Sequence, residues 1–282
     1  MPKSVFRIFP LDGFLNYIRQ ATFQRKVTFI QNHHTWKPDY HTFYHSGYSA
    51  MSLLENMRHD HIKNRGWNDI GQNITIFPDG TIGLCRAIDT APAGILGANT
   101  GGICIESMGN FDIGGDLMTA EQKESIVKTN AILCIKYGLQ PNFNHIVYHH
   151  WYDTKGKRQL NSFIDSGEVL KQGLQKTCPG TNFFKPADVA VMGNTVQCAI
   201  ANFFPLVTTA ITRLQEMPVT VLQFASKKVM TDRLNVRAGR GVEFNVIRQL
   251  PKGLQVPVYD MANNWSRISI NAEEWVSSKF LS

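Results

Sequence analysis

Lys26-Val27-Thr28-Phe29-Ile30-Gln31-Asn32-His33-His34-Thr35 is the stretch on which the fold turns. Lys26 to Ile30 is rich in β-branched and aromatic residues and reads as a strand, and two adjacent histidines follow it at once. The pattern recurs at Ile146-Val147-Tyr148-His149-His150, another short apolar run ending in a histidine pair. A strand end holds a side chain rigidly and can aim it into a cleft. A catalytic zinc takes three protein ligands from His, Cys and carboxylates and keeps a fourth position for water or substrate. The two histidine pairs, together with Cys178 in Lys176-Thr177-Cys178-Pro179-Gly180, therefore form a candidate metal site. Singly, each has a plainer reading: one histidine of a pair is often solvated, and a cysteine before Pro-Gly suits a buried turn.

Outward from these stretches, Asn73 to Phe77, Thr81 to Arg86 and Gly101 to Met108 read as further strands. Helical spacing appears at Gly47 to Ile62, with Met51, Leu53, Leu54 and Met57 on one side, and at Thr119 to Tyr137, where Thr119 and Gln122 make a capping-box start. Alternating strands and helices predict an α/β domain with a central mixed sheet flanked by helices. Phe183 to Met217 is different: Gly193-Asn194-Thr195 offers an N-cap, and Val196, Ala199, Ile200, Phe203 and Phe204 follow at helical spacing, as one or two closing helices. Beyond Pro218, short apolar runs broken by Ala238-Gly239-Arg240-Gly241, Pro251-Lys252-Gly253 and Ala262-Asn263-Asn264 predict a small all-β module.

At 282 residues, 43% hydrophobic and 18% charged, the chain has the composition of a folded protein rather than a disordered one, with room for two domains. Its longest apolar runs, such as Val189 to Met192 and Phe203 to Val207, are far shorter than the roughly 20 residues of a membrane span. Arg7, Pro10 and Asp12 interrupt any signal-peptide core, so the expectation is a chain made in the cytoplasm without a signal peptide. Five cysteines are too few and too irregular for a disulfide framework and are expected as thiols. Twenty-nine Lys and Arg against twenty-two Asp and Glu give a net charge of +7, which favours a polyanionic partner. No basic run or zinc-finger spacing points to nucleic acid.

Six motifs occur in order: Asn32-His33-His34-Thr35; Arg65-Gly66-Trp67-Asn68-Asp69-Ile70-Gly71; Asp79-Gly80-Thr81-Ile82; Asn99 to Asn110; Tyr148-His149-His150; and Lys176 to Gly180. Over roughly residues 25 to 184 the chain thereby resembles the type 2 N-acetylmuramoyl-L-alanine amidases, relatives of phage lysozyme-amidases and peptidoglycan recognition proteins. The resemblance implies zinc-dependent hydrolysis of the amide between N-acetylmuramic acid and L-alanine in peptidoglycan. It matches His33, His149 and Cys178 to the zinc ligands, with His34 and His150 beside them. Lys176 matches the lysine that stabilises the tetrahedral oxyanion. The family often carries a tyrosine after Trp-x-Asp-x-Gly, but here Gly71 is followed by Gln72, which cannot act as a base. Some relatives use a glutamate on the following strand. That implies Glu106 as general base, with Cys104, two residues earlier on the same strand face, as the alternative at that position. Twenty-nine residues separate His149 from Cys178, more than in compact members, and the insertion, Trp151 to Gln175, is expected to form a loop and a helix near Ser166 to Leu174, either lining the substrate groove or decorating the periphery. Trp36, Tyr148 and Trp151 are either sugar- or peptide-packing residues or core.

Leu234-Asn235-Val236-Arg237-Ala238-Gly239 and the strands after it, over roughly residues 228 to 281, resemble a bacterial SH3-like domain, which implies cell-wall binding. Nine basic against five acidic residues from Val219 onward place +4 of the charge there, suited to anionic wall polymers. The expected organisation is a zinc amidase domain over 1–184, a helical closing segment over 185–217 and the wall-binding SH3-like barrel over 218–282. A wall-degrading chain without a signal peptide fits a phage endolysin released by a holin, with a host autolysin as the other origin. The alternative function is a peptidoglycan-binding recognition protein without catalysis.

Overall fold

Strands covered on both faces build the first part of the molecule. The computed structural model describes residues 6–159, 176–216, 225–262, 264–269 and 272–282. β1 (Arg7–Phe9), β2 (Phe29–His34), β3 (Ile74–Ile76), β4 (Ile82–Leu84), β5 (Gly102–Ser107) and β6 (Ile146–Tyr148) form one sheet in the order β1-β4-β3-β5-β2-β6. β3, β5, β2 and β6 run parallel, while β4 and β1 continue it antiparallel. This is the mixed sheet the sequence predicts. Ile30, Ile74, Ile76, Ile103, Ile105 and Ile146 are fully buried, as a largely parallel sheet with helices on both sides requires.

The helices are α1 (Leu11–Gln20), α2 (Tyr40–His45), α3 (Ala50–Lys63), α4 (Ala120–Tyr137) and α5 (Phe204–Glu216). α4 starts where the Thr119 hydroxyl accepts the Gln122 N–H at 3.1 Å, and it stops at Gly138, whose left-handed φ of 65° costs a glycine little. Against the sheet, Asn32 and Asn130 exchange amide hydrogen bonds of 2.9 and 3.0 Å, which fixes the Asn32 side of β2 toward α4. Strand side chains alternate, so Gln31 and His33 point to the opposite face. There Leu53, Leu54 and Met57 of α3 pack with Phe77, Cys85 and Met108, and Thr75 reaches Cys85 Sγ at 3.3 Å. α5 packs against α4. It follows a single α-turn, Val196–Cys198, capped by the Thr195 hydroxyl as expected, and a π-helical turn, Ala199–Phe203.

Several boundaries differ from the sequence expectation. β2 does not end before the histidines but runs through both, because parallel pairing with β5 continues to His34↔Ser107. The first long helix begins at Ala50 rather than Gly47, since the Ser49 hydroxyl caps it by accepting the Ser52 N–H. The helix expected near Ser166 to Leu174 lies outside the described residues.

The chain divides into two compact units, one of Met1–Leu15 with Phe23–Met217, the other of Asn16–Thr22 with Pro218–Ser282. In the second, β7 (Ala225–Lys228) pairs with β10 (Gln255–Val258), and β8 (Arg233–Arg237), β9 (Val246–Pro251), β11 (Asp260–Ala262), β12 (Trp265–Arg267) and β13 (Trp275–Ser277) form a sheet in the order β11-β12-β13-β8-β9. Val229, Leu234, Val236, Leu250, Val256, Val258 and Val276 fill its core. Arg237 donates to the carbonyls of Val242 and Phe244 at 2.8 and 2.7 Å, closing the β8–β9 loop. Trp275 is buried and donates its Nε1–H to Glu273 at 2.7 Å. Both residues thus complete the small barrel. No helix among the described residues is long and apolar enough to cross a membrane.

Candidate metal centre

The C-terminal ends of β2, β5 and β6 meet at one place. Register pairs Thr75 with Glu106 and Glu106 with His33, while Asn32 pairs with Tyr148, the residue before His149. Across three strands this aligns Thr75, Glu106 and His33 in a row, with His149 one residue past the end of β6. β6 stops at Tyr148, and a 3-10 turn, His149–Trp151, begins with His149, whose ring centroid lies 4.9 Å from that of His33. Cys178 comes from a distant turn. One donor atom each from His33, His149 and Cys178 lie within 4.8 Å of one another.

The second histidine of each pair has another task. The Phe111 N–H donates to His34 Nδ1 at 3.1 Å, and His150 Nδ1 donates to the Lys176 carbonyl at 2.7 Å. The His150 N–H also reaches the Cys178 carbonyl at 2.8 Å, and the His34 N–H points at Cys178 Sγ at 3.4 Å. His34 and His150 therefore tie the cysteine turn to the strand ends, while His33 and His149 face Cys178. Asp112 completes the bracing, accepting from Thr177 Oγ1 at 2.9 Å and from the Thr181 N–H at 3.0 Å. Asn194 donates to the Thr177 carbonyl at 2.9 Å, and its own carbonyl accepts Trp151 Nε1–H at 2.8 Å. The closing segment thus holds the cysteine turn from behind, and Trp151 and Tyr148, both fully buried, are core residues. Trp36, 57% exposed, is the one of the three aromatic candidates on the surface.

Two imidazoles and a thiol converging in a buried corner are the donor set zinc selects, soft sulfur with borderline nitrogen. Without a cation the groups are kept neutral. Burial, then the charges of His149 and Lys176, holds His33 well below the ordinary histidine range, and burial and Lys176 bring His149 to about 4. Burial pushes the Cys178 thiol to about 12 against the opposing pull of the His34 N–H. The two neutral imidazoles already offer lone pairs, and only the thiol would have to give up its proton to a divalent cation.

Glu106, beside His33 in register, is raised to about 7 by burial, with Lys176 and Arg65 pulling it down. Cys104 shares that strand face, but burial and then the Glu106 charge drive its thiol well above the ordinary value, so it keeps its proton. Lys176 is exposed at the rim, and its charge acts on His33, His34, His149 and Glu106. Gln72 is buried and donates its amide to Thr75 Oγ1 at 2.9 Å.

Residues 23–181, more than half of the chain, match the family model described as N-acetylmuramoyl-L-alanine amidase. The chain belongs to the N-acetylmuramoyl-L-alanine amidase family. Residues 232–282 of this amidase-family chain match the bacterial SH3 domain model, so the β-module is of that kind. Solved structures similar to the chain include N-acetylmuramoyl-L-alanine amidase LysC from Clostridium intestinale URNW, 22% identical, covering 65% of this chain and 84% of that one with a TM-score of 0.40. Drosophila PGRP-LB is 23% identical over 51% of this chain and 83% of its own, with a TM-score of 0.39. No curated protein matches the chain.

Sequence reasoning passed over the residues around the candidate ligands. Gln31 is fully buried; its Nε2 donates to the Ala98 carbonyl at 2.7 Å, and its Oε1 lies 3.3 Å from His33 Nε2. A two-residue step back from His33 along the strand was the available signal. For Asp112 and Asn194 no such signal exists, because their partners lie 65 and 17 residues away in the chain.

Proposed function

We propose that this chain is a zinc-dependent peptidoglycan amidase, cleaving the amide between N-acetylmuramic acid and L-alanine, and that His33, His149 and Cys178 hold the zinc. The convergence of those three donors beside Glu106 and Lys176 carries the reading. A zinc held by three ligands supplies Lewis-acid polarisation of a carbonyl and a water of lowered pKa. Glu106, on the His33 face of the sheet, takes the proton from the attacking water and returns it to the leaving amine. Its place near neutrality, at about 7, suits both transfers. The Lys176 ammonium at the rim faces the negative charge that develops on the carbonyl oxygen.

The organisation proposed is a catalytic part over 1–184, closing helices over 185–217 and a wall-binding module over 218–282, in which the basic barrel keeps the catalyst near its polymer. The chain acts at the bacterial cell wall, as a phage endolysin does. A second reading, a wall-binding protein without hydrolysis, draws on Gln72, which stands where the family often has a tyrosine. Purified chain supplied with zinc is expected to release L-alanine amino termini from peptidoglycan. Wall binding without such release makes the second reading the correct one.

A further inference from the structure

Gln31 has no place in the chemistry above, yet it is fully buried and fully engaged. Its amide orientation is fixed from outside the site: the Ala98 carbonyl can only accept, so the nitrogen of Gln31 must face it, at 2.7 Å. That leaves Oε1, an acceptor without a proton, toward His33 Nε2 at 3.3 Å. Only a ring protonated at Nε2 can donate to it. His33 then presents its lone pair at Nδ1.

The surrounding backbone is shaped for this contact. Gly94 lies so close that a Cβ there would stand 2.4 Å from Gln31 Oε1 and 3.2 Å from His33 Nε2. Its loop is held in turn, since the N–H groups of Gly94 and Ile95 both donate to Asn99 Oδ1 at 2.9 Å. Ala98, the acceptor that orients Gln31, belongs to the same loop. One strand step and one loop thus converge on a single ring nitrogen.

We infer that Gln31 is a positioning residue that sets the tautomer and ring orientation of His33, so that Nδ1 is the nitrogen offered to the metal. The inference rests on the zinc reading above. A ligand histidine whose other nitrogen donates to a fixed acceptor is held in angle as well as in protonation, and losing such a partner commonly costs about 10- to 100-fold in metal affinity.

The test reads the ring itself. Nitrogen-15 NMR of the metal-free wild type at about pH 8, where the His33 ring is neutral, is expected to show His33 protonated at Nε2. Gln31→Met, which keeps the volume and removes the acceptor, is expected to give a tautomer mixture. It should also bind zinc about tenfold or more weakly and alter the visible spectrum of the cobalt-substituted protein. A wild type that binds zinc while His33 carries its proton on Nδ1 overturns the inference, and that measurement needs no variant to fold. Gln31→Met with wild-type zinc affinity and an unchanged cobalt spectrum overturns it as well. A wild type that takes up no zinc overturns instead the metal reading on which the inference stands.

Discussion

Cys178→Ala removes the sulfur from the trio and leaves its turn pinned by Asp112 and His150. The expected outcome is loss of stoichiometric zinc, read by elemental analysis, and loss of wall lysis, with the fold retained by circular dichroism. Glu106→Gln separates chemistry from binding: zinc content should stay at the wild-type level while kcat falls about 100-fold or more. An unchanged kcat in that variant removes Glu106 as the base. The histidine pairs and the cysteine were legible from the sequence because strand ends and a Cys-Pro-Gly turn are local. Which member of each pair faces inward came only through the family resemblance, since the partners that occupy His34 and His150, the Phe111 N–H and the Lys176 carbonyl, arrive from 77 and 26 residues away.

The element on which the site depends most is β2, held against α4 by one amide pair. Asn130→Leu strands the buried Asn32 amide and should cost about 1–3 kcal/mol, measured as a lower urea midpoint of the metal-free protein. Adding Asn32→Leu should recover part of that loss, because two apolar groups leave no polar atom unpaired. A double variant less stable than the sum of the singles would contradict this account. The start of α4 was readable from its Thr119 cap, whereas the Ser49 cap of α3 went unread and its start was placed too early. The extent of β2 was not readable, because polar Gln31 and Asn32 break the apolar pattern, and what keeps them in a strand is a glutamine–carbonyl contact and an asparagine on another element.

The whole molecule should lose stability in mild acid. His61, whose Nδ1 accepts the Gly71 N–H at 3.0 Å, is brought to about 4 by burial and by Arg65 and Arg86, against an ordinary value of 6.5. Below about 6.5 the unfolded chain takes a proton that the folded one refuses until about 4, so stability falls across that window and levels below it. His34 and His149 act in the same sense in metal-free protein, while Glu106, raised to about 7, takes its proton earlier in the folded state and offsets part of the fall. Denaturation midpoints between pH 7 and 4 should decline less steeply for His61→Asn. A slope identical to wild type would remove His61 from the set. The net charge of +7 predicts that retention of the intact chain on anionic walls weakens as salt rises, read by co-sedimentation of Cys178→Ala so that the walls are not consumed.

The three donors lie 116 and 29 residues apart along the chain, and none can find the others until β2, β6 and the cysteine turn are in place. A freshly made polypeptide therefore has no partial version of this pocket to fill. On the zinc reading, metal uptake would come last in maturation, and how much a preparation takes up would report how much of it has finished folding.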